Sequence, residues 1–118
     1  MEGIYKQQQI IICEKYRSGF LATPFNSFIG IALETFEKKL LPINGLRHPI
    51  QSAHSSNWYI WCGEEFSQAG DFFKPVHTEH LVEMCPSIIK YLGLNPGWRF
   101  LQAGDYEDVW FDASLLNI

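Results

Sequence analysis

The stretch that decides the fold is Trp58-Tyr59-Ile60-Trp61-Cys62. Aromatic and β-branched residues at consecutive positions are typical of a β-strand. Successive side chains of a strand point to opposite faces, and both faces of this one are apolar. We therefore expect a strand that is covered on both sides and that ends at Gly63-Glu64-Glu65.

The other predicted strands lie on both sides of this stretch in the sequence. They are residues 28–35, 98–101 and 109–111. The last two are separated by the turn residues Ala103-Gly104-Asp105, so we expect them to pair as an antiparallel hairpin. Strands that follow one another through short loops favour an antiparallel sheet of about four strands.

Two helices are predicted. The first covers residues 4–16 and places several side chains on one face, namely Ile4, Gln8, Ile11, Ile12 and Lys15. The second is amphipathic, begins at the N-cap Thr78 and ends at Gly93, with apolar residues at spacings of three and four. Pro86 interrupts it, so we expect a kink or two short helices.

Two segments predict loops. Residues 42–57 are mostly polar or turn-forming, and Asn44-Gly45 within them is a hairpin signal with weak flanks. Residues 68–74 form a second loop, and Pro75 leads into the second helix.

Length and composition indicate one domain, residues 1–118. The order of the predicted elements indicates the α+β class, with a small antiparallel sheet packed against the two helices. Residues 1–27 are expected to form an N-terminal helix and loop. Three widely spaced cysteines favour a reducing compartment. The first residues do not resemble a signal peptide, and no apolar run is long enough to cross a bilayer. We therefore expect a cytoplasmic protein that does not associate with membranes.

Charge is distributed unevenly along the chain. There are 9 basic and 13 acidic residues, which gives a formal net charge of −4 and argues against a nucleic-acid partner. Six basic and four acidic residues lie in positions 1–57, whereas three basic and nine acidic residues lie in positions 58–118. An acidic surface in the second half can attract a basic protein, although most acidic clusters are simply solvated.

No convincing catalytic set is present. His77, His80 and Glu83 have helical spacing and could hold a metal, but the simpler interpretation is an exposed, polar first turn of a helix. Cys62 and Cys85 are interpreted as small buried hydrophobic residues. We expect no enzymatic activity, no cofactor and no metal.

The most unusual segment is residues 105–112, in which acidic and aromatic side chains alternate within the predicted hairpin. An exposed aromatic ring inside an acidic rim is typical of a binding anchor. The alternative is a turn that leads into a strand whose Val109 or Trp110 packs in the core.

Several motifs together resemble one family. They are Asn44-Gly45-Leu46-Arg47-His48-Pro49, Trp58 to Glu65, Asp71-Phe72-Phe73-Lys74-Pro75 with His80-Leu81, Tyr91 to Leu101, and Gly104 to Trp110. Over residues 28–112 the chain resembles immunity proteins of bacterial polymorphic toxin systems, the thirty-third numbered class and its relatives. The resemblance implies a cytoplasmic, non-enzymatic protein that binds a cognate toxin and blocks it.

A toxin-binding surface can be predicted from the acidic and aromatic residues. The expected contacts are Trp61, Glu64, Glu65, Asp71, Asp105, Tyr106, Glu107, Asp108 and Trp110. Trp58 and Trp98 are assigned to the core. If the toxin is a nuclease, its basic cleft would complement this surface, and an exposed aromatic edge would also allow a homodimer.

Two alternatives stay open. One is a small-ligand-binding module whose aromatic residues line a pocket. The other is a metal-dependent enzyme that uses His77, His80 and Glu83.

Overall fold

The computed structural model describes residues 2–50, 55–64 and 72–117, and the statements below refer to these residues. The three α-helices are α1 (Glu2–Tyr16), α2 (Leu33–Glu37) and α3 (Leu81–Met84). The strands are β1 (Phe28–Ile31), β2 (Ile43–Arg47), β3 (Ser55–Cys62), β4 (Lys74–His77), β5 (Trp98–Ala103) and β6 (Tyr106–Phe111). Short 3₁₀ turns cover Thr78–His80, Pro86–Tyr91 and Ala113–Leu116. None of these helices is long and apolar enough to cross a membrane.

The strands form one six-stranded sheet in the order β4-β1-β3-β2-β5-β6. Only β1 and β3 run parallel, and the other neighbours are antiparallel. The α+β class is confirmed, but the predicted antiparallel sheet of about four strands is a mixed sheet with six in the described residues. Strand β3 lies inside the sheet, between β1 and β2, and β5 and β6 form the predicted hairpin.

Strand β2 lies where a loop was predicted, because its glycine serves close packing and makes no turn. A Cβ atom on Gly45 would overlap the ring of Phe100 on the neighbouring strand. Asn44 donates a hydrogen bond from Nδ2 to the carbonyl oxygen of Gly63 at 2.8 Å. The hairpin signal therefore marks a close approach within a sheet.

Strand β4 was also missed. Pro75 lies opposite Gly30 on this edge strand, where a residue without an N–H is tolerated. The predicted strand 28–35 ends at Ile31 and is followed by α2, in which the Thr35 hydroxyl donates to the carbonyl of Ala32 at 2.7 Å. The predicted second helix is divided into α3 and two 3₁₀ turns, the second of which begins at Pro86.

One face of the sheet, here the helix face, packs against α1 and the turn Pro86–Tyr91. The buried residues of this core are Ile12, Cys13, Ile29, Ile31, Trp58, Ile60, Leu81, Ile88, Ile89, Tyr91, Leu92, Leu94, Phe100 and Val109. The buried face of α1 differs from the predicted one. Of the residues predicted to share a face, Ile12 is buried, but Ile4 and Ile11 are 63% and 62% exposed. Gln9 and Cys13 are buried instead. Trp58 is fully buried, as predicted, and Trp98 is half-buried against this core.

A buried arginine ties the helix face together. Arg47 is fully buried and stacks on Trp58, with 5.5 Å between its guanidinium carbon and the ring centroid. Its nitrogens donate to the carbonyl oxygens of Ser56 at 3.0 Å, Leu21 at 2.8 Å and Leu94 at 2.8 Å. Burial lowers the pKa of Arg47 to about 10, so the group remains a cation at neutral pH.

Candidate protein-binding face

Strand β6 directs its alternate side chains to opposite sides of the sheet. Val109 is buried in the core of the helix face, and Glu107 shares that side. Asp108 and Trp110 point the other way, to the face opposite the helices, here the open face. The acidic and aromatic run therefore contributes to two surfaces with different environments.

Glu107 is engaged within the protein. Its carboxylate accepts hydrogen bonds from the hydroxyls of Tyr16 and Tyr91, each at 2.6 Å. It also forms ion pairs with Lys15 at 3.1 Å and with Lys90 at 3.6 Å. These four donors come from α1 and from the turn Pro86–Tyr91, so Glu107 joins both elements to the edge of the sheet.

The pKa of Glu107 shows which effect dominates there. Burial alone would raise it, but the hydrogen bonds from Tyr16, Tyr91 and Lys15 outweigh burial and lower the pKa to about 2. Burial and the nearby carboxylate raise the pKa of the Tyr91 hydroxyl. Glu107 is thus an ionised internal acceptor with its partners already in place, and its side chain is only 17% exposed.

The open face of the hairpin presents a stacked pair of side chains. The guanidinium carbon of Arg99 lies 5.4 Å from the ring centroid of Trp110, and the two residues are paired in register. Arg99 also forms an ion pair with Asp112, with 3.3 Å between Nη1 and Oδ2. Asp112 is fixed in turn, because its Oδ1 accepts from the backbone and the hydroxyl of Ser114 at 3.1 and 2.6 Å.

One donor of this pair is unused. Arg99 Nε is buried and has no hydrogen-bond partner within the described part of the chain. Hydrogen bonds that Asp112 accepts from the hydroxyl and backbone N–H of Ser114, together with the hydrogen bond and charge of Arg99, outweigh the opposing effect of burial and lower the pKa of the Asp112 carboxyl. Trp110 is half-buried beside the guanidinium.

Three more residues complete the surface around this pair. Tyr106 is 59% exposed, Asp108 is exposed, and Leu101 is half-buried opposite Asp108 in the ladder. The name hairpin face is used below for Arg99, Leu101, Tyr106, Asp108 and Trp110. Asp105 lies exposed in the turn at its end. Two rings, one apolar side chain and three charges therefore lie at an edge of the sheet.

Trp61, another predicted contact, does not belong to this exposed surface. Trp61 points to the same side of the sheet as the hairpin face. It pairs with Asn44 on β2, Asn44 pairs with Leu101 on β5, and Leu101 pairs with Asp108 on β6. Trp61 is only 4% exposed, however, and packs in a second core cluster with Ala32, Leu46 and Leu115. We therefore reassign Trp61 from the binding surface to the core that supports it.

Of the predicted acidic residues after β3, the structure describes Glu64, which does not join the hairpin face. Glu64 is exposed and lines a different groove of about 480 Å³ together with Lys38 and Leu41. Glu65 and Asp71 lie outside the described residues.

The predicted metal-binding residues do not form a ligand set. His77 stacks on Phe28 with 4.4 Å between ring centroids, and 6.3 Å separates the His77 and His80 rings. Among the described residues no group of three or more His, Cys, Asp or Glu side chains could hold a metal ion. The structure thus gives no support to an enzyme built on His77, His80 and Glu83.

Sequence reasoning missed Arg99. Its position opposite Trp110 in the hairpin is a usable signal, because residues paired across a strand ladder on one face contact each other. It also missed Arg47, for which the sequence offers no such signal, since the carbonyls it binds come from segments distant in sequence.

Comparison with known proteins identifies the family. The model of the Imm33-like domain matches residues 8–112, which is most of the chain. The chain belongs to the Imm33-like domain family, and this is consistent with the immunity proteins of polymorphic toxin systems. The match confirms the resemblance found in residues 28–112 and extends it into α1. No curated protein and no solved structure matches the chain.

Proposed function

We propose that this chain is an immunity protein that binds a cognate protein toxin in the cytoplasm and neutralises it by stoichiometric occlusion. Family membership over residues 8–112 supports a toxin partner. The observation that carries the choice of surface is the hairpin face, where the partly exposed Arg99–Trp110 stack lies beside the exposed Tyr106 and Asp108.

The hairpin face has the chemistry of an interface centre. Tryptophan, tyrosine and arginine are the residue types that most often dominate binding energy at protein interfaces. Arg99 is already held between Trp110 and Asp112, so little side-chain entropy is lost when a partner docks on it. The Arg99 side chain is 29% exposed, so an acceptor on the toxin can reach the exposed part of the guanidinium.

The charge of this face favours a basic partner. Asp105 and Asp108 are exposed and form no ion pair within the described residues, whereas Glu107 and Asp112 are already paired. Electrostatic attraction of a partner to this face thus rests on two carboxylates, which is fewer than the sequence predicts. A basic cleft such as that of a nuclease would complement them.

A binding titration tests this surface. The toxic domain encoded beside this gene is titrated calorimetrically with the wild-type protein and with Trp110→Ala. We expect the variant to raise Kd at least tenfold, since loss of a central anchor costs about 2 kcal/mol or more. Asp108→Lys should mainly slow association, and by more at low salt than at high salt.

The matched control is Glu34→Lys, which reverses a charge on exposed α2, at a groove separate from the hairpin face. It should leave Kd within twofold of the wild type. Unchanged affinity in a folded Trp110→Ala, Asp108→Lys double variant would show that the toxin binds elsewhere.

A further inference from the structure

A second concave site lies on the opposite side of the sheet from the hairpin face. It is a pocket of about 440 Å³ between α1 and residues 20–25. Its lining residues are Gly3, Tyr5, Lys6, Gln9, Phe20, Ala22, Thr23, Pro24 and Phe25. A pocket of this volume is large enough for a small organic molecule.

The pocket has aromatic walls and a polar floor. The rings of Tyr5 and Phe25 are 5.9 Å apart between centroids and tilted by 50°, and Phe20 contributes a third ring that is 37% exposed. On the floor, Gln9 and Thr23 are buried, and both donate to backbone carbonyls, at 2.9 and 2.6 Å. This arrangement accepts the flat faces of a planar ring.

The wall formed by residues 20–25 is fixed to the rest of the protein. Phe20 forms a β-bridge with Leu94, and the backbone N–H of Leu21 donates to the carbonyl of Gly93 at 2.9 Å. From the interior, Arg47 donates to the carbonyl oxygens of Leu21 and Ala22 at 2.8 and 3.4 Å. The pocket is therefore formed before any ligand arrives, which reduces the entropy cost of binding.

The described lining of the pocket carries one positive charge. Among the lining residues that the structure describes, Lys6 is the one ionisable side chain besides Tyr5, and none is a carboxylate. Behind the wall lies the guanidinium of Arg47, which is fully buried and has no carboxylate within ion-pair distance among the described residues. A buried cation without a counter-ion attracts an anion to the nearest accessible space.

We propose that this pocket binds a small planar aromatic carboxylate, with its ring among Tyr5, Phe20 and Phe25 and its carboxylate towards Lys6. This site is separate from the proposed toxin-binding face and does not depend on it. The three rings supply the apolar contact area, and Lys6 with the buried Arg47 supplies selectivity for the anion.

The test compares two probes that differ only in charge. The full chain, labelled with ¹⁵N, is titrated with indole-3-carboxylate and with indole-3-carboxamide while backbone amide shifts are recorded. We expect saturable shifts for the carboxylate at Lys6, Ala22, Thr23 and Gly93, and binding at least fivefold weaker for the carboxamide.

Two variants separate the contributions. Lys6→Gln keeps the walls and should remove most of the preference for the anion, whereas Ala22→Trp should fill the pocket and abolish the shifts of both probes. Lys38→Gln, on the distant groove beside α2, should change neither titration. The proposal is overturned if the carboxylate gives no saturable shifts up to several millimolar. It is equally overturned if the shifts lie outside this pocket or the two probes bind equally well.

Discussion

Replacing Glu107 by Gln removes the charge that holds α1 and the turn Pro86–Tyr91 against strand β6. The carboxylate forms two ion pairs and accepts hydrogen bonds from two tyrosine hydroxyls. Its pKa is lowered from 4.5 to about 2. That difference corresponds to about 3 kcal/mol of stabilisation by the ionised form. Lys15 is 61% exposed, so solvent screens part of its contribution. The expected loss on Glu107→Gln is therefore about 2 kcal/mol at pH 7.

The pH dependence gives the sign of this effect. A carboxyl whose pKa is lower in the folded state stabilises the protein above its unfolded pKa, and that stability is lost as pH falls through the folded value. The difference between wild type and Glu107→Gln should therefore be full above pH 5 and should shrink between pH 4.5 and pH 2, the two values that bracket the shift.

The assay is urea unfolding followed by tryptophan fluorescence at pH 7, 5 and 3. Asp108→Asn is the matched control, because this neighbouring carboxylate is exposed and should change stability by at most about 0.5 kcal/mol. Stabilisation by the ionised Glu107 carboxylate is refuted if Glu107→Gln lowers the free energy of unfolding by less than about 0.5 kcal/mol at pH 7, or by the same amount at pH 7 and pH 3.

Three further predictions concern the interior. Gly45→Ala should lower the free energy of unfolding by about 2 kcal/mol in urea titrations, because the added Cβ overlaps the Phe100 ring in the core; an unchanged midpoint would contradict the close packing. Arg47→Met should cost about 3 kcal/mol or more in the same assay, because several buried carbonyls lose their donor; a stabilised variant would show that these carbonyls do not need the arginine. Cys62 is buried, and burial raises the pKa of its thiol to about 11, whereas Cys85 is half-exposed. A thiol reagent at pH 8 should therefore modify Cys85 before Cys62. Mass spectrometry of the partly labelled protein identifies the order, and modification of Cys62 first would contradict the prediction.

The parts of the fold that the sequence predicts are those with local signals. Strand β3 was visible as a run of aromatic and β-branched residues, and the β5–β6 hairpin was visible from the turn between two such runs. Strand β2 was hidden, because Gly45 indicates a turn although its role is to admit the Phe100 ring. Strand β4 was hidden by Pro75, which an edge position tolerates.

The candidate site was predicted in composition but not in orientation. The alternation of β6 places Asp108 and Trp110 on one side and Glu107 on the other, and the sequence does not show which side faces the helices. The partners of Glu107 on α1 lie 91 and 92 residues away along the chain. No local pattern could therefore reveal that the most central carboxylate of the acidic run is engaged internally.

A growth-rescue experiment tests the proposed immunity function directly. The toxic domain encoded beside this gene is expressed alone, with this protein, and with its Trp110→Ala, Asp108→Lys double variant. We expect that the wild type restores growth and purifies with the toxic domain as a one-to-one complex, and that the folded double variant does neither. Persistent growth arrest beside abundant wild-type protein, with no complex on gel filtration, would contradict an immunity function for this pair.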